Sequence, residues 1–376
     1  MVPFESLSYW EHEQFLKNID VLIVGAGIVG LSTSIHLKKN NPNLKILLLE
    51  RGYLPLGAST KNAGFACIGS ASEIIDDLSK YPTDEVWETV QERWEGLHYL
   101  QELTAGADIG YEQGKSYELF RKEDHKNFQE CTDQLDALNA RLYEITGIKN
   151  VYQGSSTVLN KTGMKGFEHA ISNAAEGRLD TGKLMLSLYR QATALNVLFL
   201  SGVNVLEIKT HSLSTAFGNI LFDKAAICSN GLAGALVNED VEPARAQVIV
   251  THPIHNLKIE GSFHFDRGYY YFRNIQQRLL FGGGRHLDIK GETTTSLETS
   301  EHIQAHLLDV LKSHILPDHK IELERKWAGT MGIGQSKKPI IKQTQEGIFC
   351  AVRLGGMGIA IGSLVGKRLA HLIEAE

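Results

Sequence analysis

The sequence has few cysteines, and none of them is arranged as a metal or redox motif. No CxxC pair or metal-like spacing is present among its four cysteines, which are Cys67, Cys131, Cys228 and Cys350. The chain also has no HExxH motif or comparable cluster among its fifteen histidines, so we expect no metal centre. Free thiols in a reducing cytoplasm are the simplest interpretation of this cysteine usage.

Long apolar runs and an excess of basic residues are also missing. Because no run of about 18 apolar residues occurs, no membrane span is expected. The residues before the first apolar stretch, Val21–Val24, are too polar for a signal peptide, which favours a cytoplasmic location. With 38 basic and 44 acidic residues, the net charge of −6 excludes the basic footprint of a nucleic-acid-binding protein.

The overall composition is typical of a folded globular protein. Hydrophobic residues make up 43% and charged residues 22% of the 376 positions, which excludes intrinsic disorder. At about 150 residues per domain, the length suggests two or three domains.

The N-terminal segment has the pattern of a strand–helix–strand unit. Ile19–Val24 predicts a buried strand, Gly25–Gly30 reads GAGIVG, and Leu31–Lys39 predicts a helix. Leu44–Leu49 predicts a second buried strand, which is followed by Glu50. A GxGxxG turn between a strand and a helix, with an acid about 20 residues later, is the dinucleotide-binding fingerprint.

Each position in this motif has a physical reason. Gly25 permits the tight turn, Gly27 lets the backbone approach a pyrophosphate, and Gly30 allows the helix to pack closely on the strand. The helix N-terminus would face the phosphate charge. Glu50 would accept hydrogen bonds from ribose hydroxyls.

The rest of the chain favours FAD over NAD as the dinucleotide. An NAD dehydrogenase normally completes its nucleotide fold within about 150 residues by repeating βα units. Here the next clear junctions come late, at Ser229–Gly231 and Gly355–Gly358. A final segment that returns to the first strand suits the longer dinucleotide.

Helix and strand units alternate at both ends of the chain, and a β-rich block from about 241 to 287 lies between them. Residues 52–72 are rich in glycine, serine and alanine, which predicts a long irregular loop, and residues 329–334 form a second glycine-rich stretch.

At this level of detail the chain resembles the D-amino-acid oxidase-like (DAO) superfamily of FAD-dependent oxidoreductases, which includes glycine, sarcosine and γ-glutamylputrescine oxidases. The resemblance covers nearly the whole chain and depends on the order of the motifs. In chain order they are Gly25–Gly30, Glu50–Arg51, Gly57–Gly64, Gly177–Asp180 with Leu184, Val205, Ser229–Gly231, Tyr269–Arg273, Leu280–Gly284, Trp327–Gly329, Pro339–Ile341, Gly355–Ile359 and Gly366.

The resemblance implies an α/β fold in which a Rossmann-like FAD-binding domain of the glutathione-reductase type is interleaved with an antiparallel-β plus α substrate domain. The predicted FAD-binding segments are 1–80, 150–235 and 325–376, and the predicted substrate-domain segments are 81–149 and 236–324. It also implies hydride removal from the carbon next to an amine, with oxygen or a quinone as the final acceptor. The partner is then a small-molecule amine or amino acid.

The cofactor-binding residues implied by the resemblance come from every motif of the nucleotide half. They are Gly25, Ala26, Gly27, Ile28, Val29, Gly30, Glu50, Arg51, Ser59, Thr60, Asn62, Ala63, Gly64, Phe65, Val205, Ser229, Asn230, Gly231, Gly355, Gly356, Met357, Gly358 and Ile359. The last five open the final helix, whose N-terminus would stabilise the anionic reduced flavin.

We expect non-covalent FAD, because the positions at which relatives tether the flavin carry no suitable side chain. No cysteine occurs at Trp327–Gly329 and no histidine occurs in the 57–65 loop. Cys67 lies close to that loop in sequence, but we do not expect attachment through it.

The sequence departs from the family pattern where substrate should bind. Met331 stands near the position of the arginine that clamps a substrate carboxylate, and methionine cannot form such a pair. Thr181 replaces a usual proline, and Lys337 and Lys338 occupy the region of a missing acid before Pro339–Ile341. The substrate is therefore an amine, or an amino acid whose carboxylate is held elsewhere.

Several residues could take over substrate binding. Lys337, Lys338, Arg273 or Arg285 could supply the positive charge, and we select Arg285 and Lys337. One of two adjacent tyrosines in a strand should face the cavity, and we select Tyr270 as the third candidate catalytic residue.

Three other functions stay open at this point. A flavin-dependent hydroxylase shares the N-terminal motif but should carry a Gly-Asp motif in its C-terminal third, which is missing here. An NAD-dependent dehydrogenase is disfavoured by the C-terminal glycine motif. A flavin-binding protein without amine turnover is compatible with the loss of the arginine clamp.

Overall fold

The chain is organised around two large sheets, and the structure, a computed structural model, describes residues 3–376. The strands are β1 Val21–Val24, β2 Ile46–Glu50, β3 Phe65–Ala66, β4 Glu112–Gln113, β5 Ser116–Arg121, β6 Tyr152–Gly154, β7 Phe167–Asn173, β8 Gly177–Arg178, β9 Leu198–Ser201, β10 Val205–Lys209, β11 Ser212–Thr215, β12 Gly218–Leu221, β13 Lys224–Ile227, β14 Glu242–Thr251, β15 Ser262–Phe265, β16 Tyr270–Ile275, β17 Arg278–Gly283, β18 Leu323–Ile333, β19 Ile340–Gln345 and β20 Ile348–Val352. The α-helices are α1 Tyr9–Glu11, α2 Ile28–Asn40, α3 Ala58–Lys61, α4 Ala71–Lys80, α5 Thr83–Leu103, α6 His125–Thr146, α7 Thr157–Thr162, α8 Thr181–Ala194, α9 Glu301–Val310 and α10 Gly358–Glu374.

The six-stranded sheet has the order β19-β20-β13-β1-β2-β9 and is parallel except for β19. Every residue of β1 and β2 is buried, which explains why both strands are almost continuously apolar. Because the five strands β20, β13, β1, β2 and β9 are parallel, their carboxyl ends lie at one edge of the sheet, which is where ligands bind in open parallel sheets.

The last helix of the chain packs on the first long one. A side chain at Gly366 in α10 would come within 2.7 Å of Ser32 Cβ in α2, so only glycine permits this close approach. The Thr33 hydroxyl donates to the carbonyl oxygen of Gly366 over 3.1 Å, which ties the two helices together. As a result, the loop before α10 lies next to the glycine turn after β1.

The eight-stranded sheet has the order β18-β14-β17-β16-β15-β5-β7-β6 and is antiparallel except for the β15–β5 pair. One face packs on α9 through an aromatic core that includes Phe265, Phe272 and Phe281. The opposite face carries a smaller apolar cluster with Tyr271 and Trp327. Two three-stranded sheets, β10-β11-β12 and β3-β8-β4, complete the strand pairing.

These sheets confirm the predicted fold class, but some local predictions were wrong. Residues 52–72 are not one irregular loop, since they contain α3, β3 and the first turn of α4. The glycine-rich stretch 329–334 lies almost entirely in β18, because its small residues allow α3 and the turn after β13 to approach the strand closely.

The strand pairing also bears on the predicted domain boundaries, which stay a prediction. β6 and β7, assigned to the FAD-binding domain, pair within the eight-stranded sheet, as does β18. α5, assigned to the substrate domain, packs against α10 at Gly96. We propose that the domain boundaries follow the two large sheets, so that β6, β7 and β18 belong with the other strands of the eight-stranded sheet. Residues 1 and 2 of the first predicted segment lie outside the described residues.

Within residues 3–376, no helix is both long and apolar enough to cross a membrane.

Candidate functional site

A cleft opens at the carboxyl edge of the parallel sheet. It brings together fourteen of the predicted cofactor-binding residues from segments far apart in sequence: Gly25, Gly27, Ile28, Val29, Glu50, Arg51, Ser59, Asn62, Val205, Ser229, Asn230, Gly356, Gly358 and Ile359. The sequence reasoning missed further lining residues, among them Asn204, Leu232, Leu236 and Thr295. Those residues lie outside any motif, and only the folding of the chain brings them to the cleft.

The glycine turn after β1 is shaped by steric limits. Gly25 has a φ of +110°, a conformation that side-chain-bearing residues rarely adopt, and a Cβ there would come within 2.9 Å of the Cys228 carbonyl oxygen. A Cβ at Gly30 would overlap the carbonyl oxygen of Gly25, so this glycine serves packing rather than lining. The turn therefore holds the first turn of α2 open to the cleft.

Glu50 organises the end of β2. Its carboxylate accepts a hydrogen bond from the backbone N–H of Ala26 over 3.2 Å and from that of Gly52 over 3.0 Å. The side chain lines the cleft while it links β2 to the glycine turn. An acid held in this position can accept hydrogen bonds from ribose hydroxyls.

The loop around α3 covers the other side of the turn. The Ser59 hydroxyl accepts from the Ile28 N–H over 3.0 Å. Asn62 Oδ1 accepts from the Gly64 N–H over 2.8 Å and from the Thr181 hydroxyl over 2.9 Å. Thr181, which replaces the usual proline, thus holds the loop in place by a hydrogen bond that proline could not make.

Several other predicted residues support the loop without lining the cleft. The Thr60 hydroxyl donates to the Pro55 carbonyl over 2.6 Å. Ala63 packs in the apolar cluster on the eight-stranded sheet, and the Phe65 ring contacts the Tyr271 ring edge-on. The loop therefore connects the cleft to that sheet.

The N-terminus of α10 borders the cleft beside β18. Gly356 and Gly358 line the cleft together with Met331, whose sulfur would lie 3.0 Å from a Cβ at Gly356. Gly231 is pressed against the Met331 carbonyl oxygen. Met331 therefore lies where the nucleotide cleft meets the eight-stranded sheet.

The residues of the cleft fit a bound dinucleotide. The Ser229 hydroxyl oxygen is buried in the cleft wall and has no hydrogen-bond partner within residues 3–376. A buried hydroxyl without a partner is costly, and a polar ligand group would satisfy it. The unpartnered Ser229 hydroxyl and the absence of a side chain at Gly27 together indicate a polar and elongated ligand.

The two adjacent tyrosines of β16 point to opposite faces of their sheet. Tyr270 faces the aromatic core, where its hydroxyl makes a 2.8 Å hydrogen bond with His306. Tyr271 faces the α3 loop, and its ring lies over Gly282, where any side chain would overlap it. Burial raises the pKa of Tyr271 to about 12, and its hydroxyl has no partner within the described residues. Tyr271 thus lies beside the α3 loop that borders the cleft and Tyr270 lies in the core, while neither lines the cleft itself.

Trp327 and Gly329 dock α3 onto the eight-stranded sheet. The indole N–H of Trp327 donates to the Lys61 carbonyl over 2.8 Å. A Cβ at Gly329 would come within 2.5 Å of Lys61 Cβ, so β18 can carry no side chain at that position. This block therefore sets the distance between the sheet and the loop.

The candidate cations lie apart from the cleft. Lys337 forms ion pairs with two acids of α4, with Glu73 over 3.0 Å and with Asp77 over 2.7 Å. Lys338 pairs with Glu88 at the surface. Arg285 begins a short turn after β17, and its buried Nε has no hydrogen-bond partner within residues 3–376. None of the three lines the cleft.

Arg273 links β16 to two neighbouring loops through hydrogen bonds. Its Nη1 donates to the carbonyl oxygens of Gly64 over 3.0 Å and Leu179 over 2.8 Å. The guanidinium therefore holds the loop after α3 against β16.

Comparisons with known proteins agree with this geometry. Residues 20–372 match the DAO family model, described as FAD dependent oxidoreductase. The chain is 23% identical over 379 residues to the probable oxidoreductase OrdL of Rhizobium meliloti (strain 1021), covering 95% of this chain and 83% of that protein. It is also 23% identical to the gamma-glutamylputrescine oxidoreductase of Escherichia coli (strain K12), covering 95% and 84%. The fold is similar to that of glycine oxidase from Geobacillus kaustophilus, with a TM-score of 0.75 at 20% identity and 95% coverage of both chains.

Replacing Ser229 with alanine should weaken FAD binding without destabilising the folded apoprotein. The hydroxyl has no partner among residues 3–376, so the free energy of unfolding of the apoprotein should stay unchanged or rise slightly. Loss of one hydrogen bond should raise the dissociation constant for FAD by about 3- to 10-fold. Fluorescence titration of apoprotein with FAD measures this, and an unchanged constant would show that the cofactor does not use this hydroxyl.

The ion pair of Glu73 should make stability depend on pH. Burial raises the pKa of Glu73, but Arg93 and Lys337 outweigh this effect and lower it to about 2. Because the folded pKa is below the unfolded value, the stabilisation is present above about pH 5 and is lost as the pH falls toward 2. Wild type should exceed Glu73→Gln in free energy of unfolding by about 2–3 kcal/mol at pH 7, with the difference shrinking in acid.

Urea unfolding at several pH values measures this difference. Glu88→Gln is the matched control, since its exposed pair with Lys338 should contribute less than about 1 kcal/mol at any pH. A pH-independent difference for Glu73→Gln would contradict the ion-pair explanation.

Proposed function

The chain belongs to the DAO family of FAD-dependent oxidoreductases, and from this premise we propose that it oxidises the C–N bond of an amine or amino acid. The observation that supports this most is the junction of the dinucleotide cleft with the Tyr271 face of the eight-stranded sheet, which meet at the α3 loop. Gamma-glutamylputrescine oxidoreductase and glycine oxidase are similar to this chain, and both act, by their names, on compounds with a C–N bond.

FAD, when bound, supplies the redox chemistry by accepting a hydride at N5 from the carbon next to the nitrogen, and oxygen or a quinone then removes the electrons. Glu50 and Val205 would hold the adenosine end, and the first turn of α2 would hold the pyrophosphate. The Asn62 loop and the start of α10 would hold the flavin end, where a helix N-terminus favours negative charge.

We propose that FAD binds without a covalent bond. Cys67 is the described cysteine nearest the α3 loop, and its thiol contacts the Met357 sulfur over 3.6 Å. Burial, together with Glu176 and Glu73, raises the pKa of the Cys67 thiol. A thiol kept protonated is a poor nucleophile, so attachment through it is disfavoured.

The Tyr271 hydroxyl would orient the substrate. It has no partner in the part of the chain that the structure describes, and its raised pKa keeps it protonated, so it can donate a hydrogen bond to a substrate group. No dedicated base is required at this site when the amine arrives neutral. Met331, at the same junction, presents an apolar surface in place of the usual arginine.

Substituting the two tyrosines with phenylalanine should separate their roles. Tyr271→Phe should lower kcat/KM by about 3- to 10-fold, because one hydrogen bond to the substrate is lost. Tyr270→Phe should leave kcat/KM unchanged and lower thermal stability, since the Tyr270 ring packs in the core and its hydroxyl bonds the half-buried His306 of α9. Equal kinetic effects in the two variants would show that Tyr271 does not contact substrate.

Anaerobic bleaching of the flavin band tests the proposed function directly. Glycine, sarcosine, D- and L-amino acids and polyamine derivatives are added to the purified holoprotein without oxygen. Bleaching by one class supports C–N oxidation, and readmitting air distinguishes an oxidase from a dehydrogenase. Flavin that stays oxidised with every compound would contradict the proposal and favour a flavin-binding protein without amine turnover.

A further inference from the structure

One short segment reaches the nucleotide cleft from the side of the eight-stranded sheet without belonging to a strand or a helix. It lies between the turn after β17 and the start of α9, and its middle residue, Thr295, lines the cleft. Residues 293–297 of this segment read TTTSL, and we call them the strap. No motif in the sequence explains why the strap lies at the cleft.

Both ends of the strap are held by one buried ion pair. Arg245 in β14 is 8% exposed and Glu292, which precedes the strap, is 1% exposed. The guanidinium donates two hydrogen bonds to the carboxylate, from Nε over 2.8 Å and from Nη2 over 2.7 Å. At the other end, Arg245 Nη1 donates to the carbonyl oxygen of Glu298 over 2.7 Å. A single arginine fork therefore fixes both ends of the strap.

Further hydrogen bonds complete this anchor. Gln247 Nε2 donates to the Glu292 carboxylate over 2.8 Å, and Gln247 Oε1 accepts from the Ser300 N–H over 3.0 Å. Burial alone would raise the pKa of Glu292, but hydrogen bonds from Arg245 and Gln247 outweigh this effect and lower it. A buried ion pair contributes little net stability compared with apolar packing, so it suits the fixing of one arrangement of the chain.

The anchor lies next to a polar part of the cleft wall. Arg245 in β14 is directly opposite Thr330 in β18. Thr330 lines the cleft and is 2% exposed, and its hydroxyl has no hydrogen-bond partner within residues 3–376. A buried hydroxyl without a partner is costly, which indicates that a ligand satisfies it. The sheet and the strap therefore bring two hydroxyl side chains, those of Thr330 and Thr295, to the cleft.

We infer that the strap lies against bound FAD, that Thr295 contacts the cofactor, and that Arg245 and Glu292 are positioning residues that hold the strap there. The eight-stranded sheet thereby takes part in cofactor binding, in addition to the glycine turn, β2 and α10. FAD has to lose its contact with Thr295 before it leaves, so the strap slows cofactor release. This inference rests on FAD binding in the cleft and is independent of which substrate is oxidised.

Alkylation of introduced cysteines tests the contact without turnover. Thr295→Cys and Thr293→Cys place a thiol at two exposed positions of the strap, of which position 295 lines the cleft and position 293 does not. Adding FAD to the apoprotein should slow maleimide labelling of Thr295→Cys by about 10-fold or more, because a cleft encloses most of its ligand. Labelling of Thr293→Cys should stay unchanged. Equal labelling of Thr295→Cys with and without FAD would overturn the inference.

The wild-type protein supplies the background of this experiment. Of its four cysteines, Cys131, Cys228 and Cys350 are buried and Cys67 is partly buried. Their labelling with and without FAD is subtracted from that of each variant.

The rate of FAD release tests the positioning role. Thr295→Ala should speed release by about 3- to 10-fold, as for the loss of one hydrogen bond, and should leave the stability of the apoprotein unchanged because the side chain is exposed. Glu292→Gln should also speed release, since Arg245 then holds the strap less firmly. Glu298→Gln is the matched control, because its exposed carboxylate does not hold the strap. FAD fluorescence after dilution of the holoprotein measures all three rates.

A merely structural role of the ion pair gives a different result. It predicts that Glu292→Gln destabilises the apoprotein but leaves FAD release and the protection of position 295 unchanged. Positioning predicts that FAD no longer protects the thiol in the double variant Thr295→Cys/Glu292→Gln. Arg245→Lys keeps the charge but loses the fork, so part of the protection should remain. If Glu292→Gln does not fold, the two cysteine variants still decide whether the strap contacts FAD.

The failure of this inference differs from the failure of the proposed function. If an amine or amino acid bleaches the flavin while FAD leaves the labelling of Thr295→Cys unchanged, the inference is overturned and C–N oxidation stands. If FAD protects the thiol but no compound bleaches the flavin, the role of the strap stands and the proposed oxidation fails.

Discussion

The close packing of α10 on α2 through Gly366 is the contact on which the nucleotide cleft depends. It requires a residue without a side chain, because Ser32 lies directly opposite. By returning the last helix to the first, it brings Gly356 and Gly358 to the glycine turn that opens at Gly25. Residues more than 300 positions apart thereby form one wall of the cleft, and the parallel sheet supplies the rest through its carboxyl ends.

The junction between the eight-stranded sheet and the nucleotide cleft is made by hydrogen bonds from the sheet to the α3 loop and to the segment before α8. Arg273 binds the carbonyls of Gly64 and Leu179, and Trp327 binds that of Lys61. These contacts fix the α3 loop between the nucleotide cleft and the Tyr271 face. Since orientation of the reacting groups contributes much of enzymatic catalysis, this rigid junction is where we expect substrate and cofactor to meet.

Buried charge is treated differently in two parts of the molecule. At the start of α4, Glu73 is matched by Arg93 and Lys337, so the cluster is neutralised within the chain and serves stability. Around Arg178 and Arg273 the neighbouring carboxylates are Glu112, which pairs with Arg178, and Asp180, and both carboxylates are exposed. The first cluster is therefore neutralised mainly inside the protein and the second at its surface, where solvent weakens the ion pairs.

The fold class, the family and fourteen of the residues that line the cleft could be predicted from the sequence, because local spacing encodes them. The GAGIVG turn and Glu50 could be recognised from the strand–helix pattern alone. The residues that lie beside the α3 loop could not be predicted in this way. Alternation along a strand predicts only that Tyr270 and Tyr271 point to opposite faces of the sheet. Which face each one takes depends on how the sheet packs, with α9 on the Tyr270 side and the α3 loop on the Tyr271 side. Likewise, Lys337 pairs with Glu73 and Asp77 of α4, and no local pattern specifies these long-range partners.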